Sequence, residues 1–463
     1  MGDEVDRISK LPNAIIQHIL SFLSTEDVVQ TCLLSKRWKL MWYSVPTLSF
    51  SNKTTRFRLP EGLQKFCNYV DHCLEHRKRG MYFIVYDSAI TSFKIWMNSY
   101  ERSQASRIDK WVAFAVKHKV KEINLRVGKE RDERGDIHRY SLPKTLAVNA
   151  RCLTILKLNT VQLDSGCSFS FPSLKSLSLS LVRIEGDDVI DKLLLGSPCL
   201  ERLRLVYCYL SSDYQLQLHS SSLKFLEITL TESTYIVKRI GAINLESFEL
   251  CGVPFDKIDI SECKAIKSLS LACDWGMEES PPLEYLISSL PLLEDLTLTN
   301  EYGLSLKRIK ISSQHLKSFK LNNCIFNDKV SVIIESAPKL ESFYYRGDIN
   351  FAISMDSSSN LLNGTFKIFN WLVNYDEIWF IKMINFLLNL NCSWSVISLQ
   401  VNSENALILP EDLKRICRSP LVNWEHLRVL TTCKPERESD LRESLQWISP
   451  SLKTLSIAKG TCF

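Results

Sequence analysis

Three stretches, LTILKLN (153–159), LKSLSLS (174–180) and LERLRLV (200–206), decide how this chain folds. Each places apolar residues at i, i+3 and i+5, with polar residues between the last two. That final alternation is the period of a half-buried strand: the i+3 and i+5 side chains point to one face and their neighbours to the other. The same pattern recurs at Leu223/Leu226/Ile228, Leu245/Phe248/Leu250, Ile266/Leu269/Leu271, Leu293/Leu296/Leu298, Leu316/Phe319/Leu321 and Leu340/Phe343/Tyr345. First positions of successive copies lie 21 to 27 residues apart. An upstream copy, Val120/Ile123/Leu125, precedes a charged insertion (GKERDERGDIHR), and a late one, Leu452/Leu455/Ile457, follows near the end.

One such unit cannot bury its apolar side alone, so copies must stack, each strand covering its neighbour. The interval is that of leucine-rich repeats. The fold class expected is therefore α/β: a leucine-rich-repeat solenoid, its parallel sheet curved and its helices or turns on the convex side. Three longer units carry amphipathic inserts ahead of a proline, 187–195, 283–290 and 330–335, and each reads as a helix that proline ends. Cys208 and Cys324 take the Asn/Cys place of the repeat, where a small polar side chain satisfies backbone groups in the turn.

The first part of the chain has a different period. Residues 8–46, ISKLPNAIIQHILSFLSTEDVVQTCLLSKRWKLMWYSVP, read as three short helices. Pro12 suits a first turn, Ser24-Thr25-Glu26-Asp27 offers caps, and Ser35 precedes a third segment. Ile15, Ile16, Ile19, Leu20 and Leu23 form a stripe wider than three short helices can cover, which implies a partner helix.

Here the sequence resembles a known family. Leu11-Pro12, the run from Ile19 to Leu23, Asp27-Val28-Val29, Leu34-Ser35-Lys36-Arg37-Trp38, Trp42 and Val45-Pro46 are similar to the F-box of plant F-box/leucine-rich-repeat proteins. Blocks at 66–74 (FCNYVDHCL), 111–125 (WVAFAVKHKVKEINL) and 140–158 (YSLPKTLAVNARCLTILKL) resemble the same family, and 409–433 with 441–457 stands where many relatives have an FBD domain. The resemblance implies an F-box at 1–50, a helical connector and start of the solenoid at 51–119, repeats at 120–400 and an FBD-like cap at 401–463. It also implies a substrate receptor of a Skp–cullin–F-box ubiquitin ligase. The F-box would dock a Skp-type adaptor, joined in turn to cullin and RING subunits, and the repeats would hold an unknown target protein. By resemblance, Leu11, Pro12, Ile15, Ile16, Ile19, Leu20, Leu23, Val28, Val29, Leu34, Trp38 and Trp42 make the adaptor contact and its supporting core. Lys36 and Arg37 are expected at its polar rim.

Composition narrows the alternatives. Charged residues make up 24% of the 463, yet 57 Lys+Arg against 52 Asp+Glu leave only +5, which gives no nucleic-acid footprint. Fifteen cysteines without a CxxC pair point to a reducing compartment, cytoplasm and/or nucleus, rather than a disulfide framework or zinc ribbon. The charged first residues do not make a signal peptide, and the most apolar stretch (378–390) is interrupted by Lys382, Asn385 and Asn389, short of the ~20 residues a bilayer needs. No membrane contact, metal or cofactor is expected.

No catalytic constellation emerges either. His72, Glu75 and His76 have the HxxEH spacing, but no distant acidic ligand accompanies them, and a solvated helix face explains them better. His76-Arg77-Lys78-Arg79 reads as a helix end whose cations complement its dipole. On the solenoid, Lys157, Arg202, Arg204, Glu227, Glu249, Asp295, Lys320, Tyr344 and Arg346 are expected on the exposed sheet face, basic, then acidic, then basic, as candidates for target binding. The other readings are an adaptor-independent repeat scaffold or a receptor for a hormone-type small molecule.

Overall fold

The inward rows of the repeat govern the architecture. The computed structural model describes residues 10–53, 62–80, 89–128, 139–210, 215–230, 236–252, 258–272, 281–300, 308–323, 329–355, 362–368 and 375–459. They form two units, Met1–Tyr235 and Ile236–Phe463.

In the first unit, parallel strands stack in the order Thr47–Ser51, Ser92–Met97, Glu122–Val127, Ile155–Asn159, Ser176–Ser180, Arg202–Val206 and Phe225–Thr229. Register aligns Leu48, Phe93, Ile123, Leu156, Leu177, Leu203 and Leu226 in one row, and Phe50, Ile95, Leu125, Leu158, Leu179, Leu205 and Ile228 in the next. All fourteen are buried. Each such side chain contributes roughly 1.5–3 kcal/mol when fully removed from water, so these rows are the main source of cohesion.

Just past three strands, Thr160, Leu181 and Tyr207 have φ of 58°, 54° and 54°. This left-handed step costs an L-residue about 1–2 kcal/mol. It is offset by one more ladder bond each, from Thr160 N to Ser180 O (3.1 Å), Leu181 N to Val206 O (2.9 Å) and Tyr207 N to Thr229 O (2.7 Å). The chain then leaves the main sheet for a second ladder, Tyr140–Ser141, Val161–Asp164 and Arg183–Glu185. Cys208 follows one of these corners, buried, its thiol donating to the Leu179 carbonyl of the previous unit at 3.4 Å. Cys324 lies outside the described residues.

Five helices matter for the site: α1 (Asn13–Ser21), α2 (Thr25–Thr31), α3 (Lys36–Trp42), α4 (Gly62–Gly80) and α5 (Ala105–Lys117). Ser24 and Ser35 cap α2 and α3 by accepting from the backbone N–H of Asp27 and Trp38. Buried Thr25 of α2 accepts from Ser49 N at 2.7 Å, so the helical module covers the first edge of the sheet. Trp111 of α5 donates to Asp71 of α4 at 2.6 Å and meets the Phe66 ring edge-on at 6.5 Å.

The second unit repeats the scheme from Ser247–Cys251 to Thr454–Lys459, and its helices include Pro281–Ser289, Glu377–Leu388 and Glu438–Ile448. In the inward row Phe319–Phe343, the next position is Gly364 and then Ile397. The Trp394 ring fills the space the glycine leaves: a Cβ there would come within 2.7 Å of it. Near the end the inward pair is Leu427 and Val429, with Leu430 facing out.

Two of the expected helices are present, Val189–Leu195 and Pro281–Ser289. The third is not: Val330–Ser336 is a strand, between Arg308–Ser312 and Phe351–Met355 in a second parallel ladder. Val330, Val332, Ile333 and Ile334 are stiff at χ1 and fit a pleated surface better than a short helix. Among the described residues no helix is long and apolar enough to cross a membrane.

Candidate functional site

α1 is apolar on two sides. Ile16 and Leu20, one turn apart, are buried against the module's own core with Val28, Trp38 and Trp42. Ile15 and Ile19, also one turn apart, are 46% and 38% exposed, and Leu23, just beyond the C-cap, is exposed with them. Phe22 is 75% exposed, its ring edge against His18 at 4.8 Å. Leu33, Leu34 and Leu40 are exposed as well, Leu33 by 90%. Pro12 is exposed, and Leu11 and Val29 are half-buried. A module this small rarely leaves so much aliphatic surface to water unless something covers it.

The approach to α1 is fixed from α3. Arg37 donates through Nε to Asn13 Oδ1 at 3.0 Å and through a terminal nitrogen to the Leu11 carbonyl. It is half-buried and holds the Leu11-Pro12 turn in place; Lys36 is exposed. Arg77 plays a related part at the other end of the module. It is buried, donates to the Val45 carbonyl at 2.8 Å and to the Trp42 carbonyl, and lies 5.6 Å from the Trp42 ring. Burial pulls its pKa down to about 10, which still leaves it charged at neutral pH. It lies with Lys78 and Arg79 in the last turn of α4, the basic helix end read from the sequence, but its own guanidinium is buried in the module. Gly80, one turn on, lets the Tyr43 ring lie against α4, where any Cβ would collide with it.

The outward positions of the first unit carry five cations, Lys94, Arg126, Lys157, Arg202 and Arg204, against two carboxylates, Glu122 and Glu227. Glu122 lies between Lys94 (3.4 Å) and Lys157 (3.7 Å). Lys53 and Arg126 sit over the Trp96 ring at 3.7 and 4.5 Å.

Two family models match the sequence: the F-box domain over residues 8–50, and the leucine-rich-repeat domain described as At1g61320/AtMIF1, LRR domain, over residues 87–304. Three relatives come from Arabidopsis thaliana. "Probable FBD-associated F-box protein At1g32375" is 33% identical over 243 residues, 52% of this chain and 53% of the relative. F-box/LRR-repeat protein At5g02910 is 29% identical over 264 residues, 56% and 51% of the two chains. F-box protein At5g03100 is 30% identical over 292 residues, 62% of this chain and 85% of the relative. The chain belongs to the F-box/leucine-rich-repeat proteins. It spans about half the length of the first two relatives it matches.

In this F-box/leucine-rich-repeat chain, the residues put forward for target binding fare differently. Lys157, Arg202 and Arg204 in the first unit, and Glu249, Asp295, Lys320 and Arg346 in the second, are exposed, and Tyr344 is half-buried. Glu227 corrects its expectation, being buried. It stands opposite Arg204 in register and accepts from it at 2.6 and 2.9 Å, a two-pronged pair that neutralises it within the sheet. The alternation in sign is thus partly used up inside the fold. In the second unit Lys320 and Tyr344 are register partners, and Arg346 pairs in register with Lys367. His72, Glu75 and His76 lie on the exposed side of α4, with Glu75 bridged to Arg79 at 3.2 Å.

Proposed function

We propose that this chain is the substrate-recognition subunit of a Skp–cullin–F-box ubiquitin ligase, non-catalytic in itself. The outer stripe of α1, with Pro12 and the exposed leucines, docks a Skp-type adaptor, and the outward face of the repeats holds a target protein. The observation that carries this reading is the division of α1: Ile16 and Leu20 hold the module together, while Ile15 and Ile19 are left for a second chain. The module also covers the first sheet edge, but that contact leaves the stripe open.

The test is co-purification of the full chain with a Skp-type adaptor. The Ile15→Asp/Ile19→Asp variant should lose the adaptor while melting as the wild type does, because neither side chain belongs to the core. Leu11→Ala/Pro12→Ala should weaken the complex through the same surface. Adaptor retained by the aspartate variant, or none recovered by the wild type, would overturn the assignment in favour of an adaptor-independent scaffold.

A further inference from the structure

The outward face of the first unit has a chemistry that narrows what it can hold. Its cations outnumber its carboxylates, and both carboxylates are engaged, Glu122 by Lys94 and Lys157 and Glu227 by Arg204. Arg202 has no carboxylate partner among the described residues; its guanidinium lies 4.7 Å from the Phe225 ring. Beside it is a recess of about 300 Å3. Its floor follows from register: Ile155, Ser176, Arg202 and Phe225 are successive partners across four strands, and the small Ser176 leaves a dip between Ile155 and Arg202, whose guanidinium lies by the Phe225 ring. Lys175, Glu201 and Lys224 stand at its rim, with Lys175 held by Glu201 at 3.3 Å. A pit with apolar walls and three cations against one carboxylate at its border matches an apolar side chain flanked by carboxylates, and among the described residues that line it there is no aromatic series on which unpaired bases stack.

We propose that this face receives an acidic segment of a protein, with one aromatic or aliphatic side chain in the recess between Ile155 and Phe225 and its carboxylates on Arg202, Lys157 and Lys94. The proposal rests on the reading of the repeats as the target-holding part and adds the class of target.

The test uses the full chain bound to its adaptor and a fluorescein-labelled peptide with a central phenylalanine between runs of aspartate and glutamate. Anisotropy should show saturable binding that weakens with salt, as screening of charges requires. Arg202→Glu with Lys157→Glu should weaken it roughly tenfold or more, as loss of charge complementarity does at interfaces. Ser176→Trp, which fills the dip, should abolish the advantage of the peptide over its alanine counterpart. Adaptor recovery serves as the folding control for all variants. Equal binding of the amidated peptide, or indifference to these substitutions, would overturn the proposal. So would stronger retention of a single-stranded oligonucleotide, which would give the face to nucleic acid. Loss of adaptor by the wild-type chain would instead defeat the ligase reading, a separate result.

Discussion

Arg77 of α4 donates to the carbonyls of both Trp42 and Val45, the residues where α3 ends and the first strand is about to begin. The last carbonyls of a helix have no intrahelical donors, and here a buried guanidinium from another helix donates to the Trp42 carbonyl, beside a long bond from Val45 N (3.4 Å), and to the Val45 carbonyl just past the helix. This clasp joins the bond from Ser49 N to Thr25 and the Tyr43 ring against Gly80 in fixing how the helical module meets the sheet.

Arg77→Met should cost about 3 kcal/mol, because two charge-assisted bonds are lost, the Val45 carbonyl loses its donor and the Trp42 carbonyl keeps only the long bond from Val45 N at 3.4 Å. Arg77→Lys should recover only part of it, since an ammonium cannot span both acceptors with a planar fork. Denaturant unfolding of the full chain measures the stability. Proteolysis between the F-box and the repeats should speed up in the methionine variant, and an unchanged cleavage rate would mean the clasp does not set the joint.

Gly364 and Trp394 are coupled by size. A methyl group at 364 would lie 2.7 Å from the indole and 2.9 Å from the Phe366 ring. Overpacking of this kind costs roughly 1–3 kcal/mol, so Gly364→Ala should lower the melting temperature. In a Trp394→Leu background the same change should cost much less, and a double-mutant cycle reads the difference.

Burial pushes the Cys208 thiol up to about 12 and the Cys73 thiol up to about 11. Only the thiolate is nucleophilic, so both should resist a disulfide reagent near neutral pH until the chain unfolds. Cys152 and Cys199 are exposed and should be modified first. Mass spectrometry of the partly labelled protein distinguishes the two classes, and early labelling of Cys208 would show that its corner opens readily.

The inward rows were legible because a period of two states which side of a strand is buried, whatever the rest of the chain does. Two copies that fit the same spacing, Val45/Leu48/Phe50 and Ile90/Phe93/Ile95, escaped the reading because α4 stands between them and breaks the interval. The strand at Val330–Ser336 was ambiguous on periodicity alone, and the β-branched residues held the better clue. At the F-box the stripe was plain, but its width hid which isoleucines face inward. Phe22, Leu33 and Leu40, exposed apolar residues of the same module, stand outside the set that the resemblance gives to the adaptor. The clasps made by Arg37 and Arg77 were illegible, since both bond to backbone carbonyls far along the chain, and a carbonyl carries no sequence signal.

A second pattern in the repeats is electrostatic. The residue after the lead-in apolar position is charged with alternating sign, and cross-strand pairs result: Lys175–Glu201 at 3.3 Å, Lys267–Glu246 at 3.6 Å, Lys317–Glu294 at 2.8 Å and Lys453–Glu425 at 2.7 Å. Opposite charges on neighbouring strands favour the native register, and like charges there penalise a unit stacked out of order. Lys317→Glu should therefore lower the melting temperature by placing three carboxylates in a row with Glu294 and Glu341, and Glu294→Lys in the same chain should restore part of the loss. The hydrogen bond from Lys317 holds the Glu294 carboxyl below its ordinary pKa. A carboxyl with a depressed folded-state pKa contributes stability above its unfolded value and loses it as pH falls through the folded one. The gap between wild type and Lys317→Glu should accordingly be widest at neutral pH and low salt, shrink as salt is added, and close in acid once the row is protonated. A gap that persists in acid would show that the substitution acts through packing instead of charge.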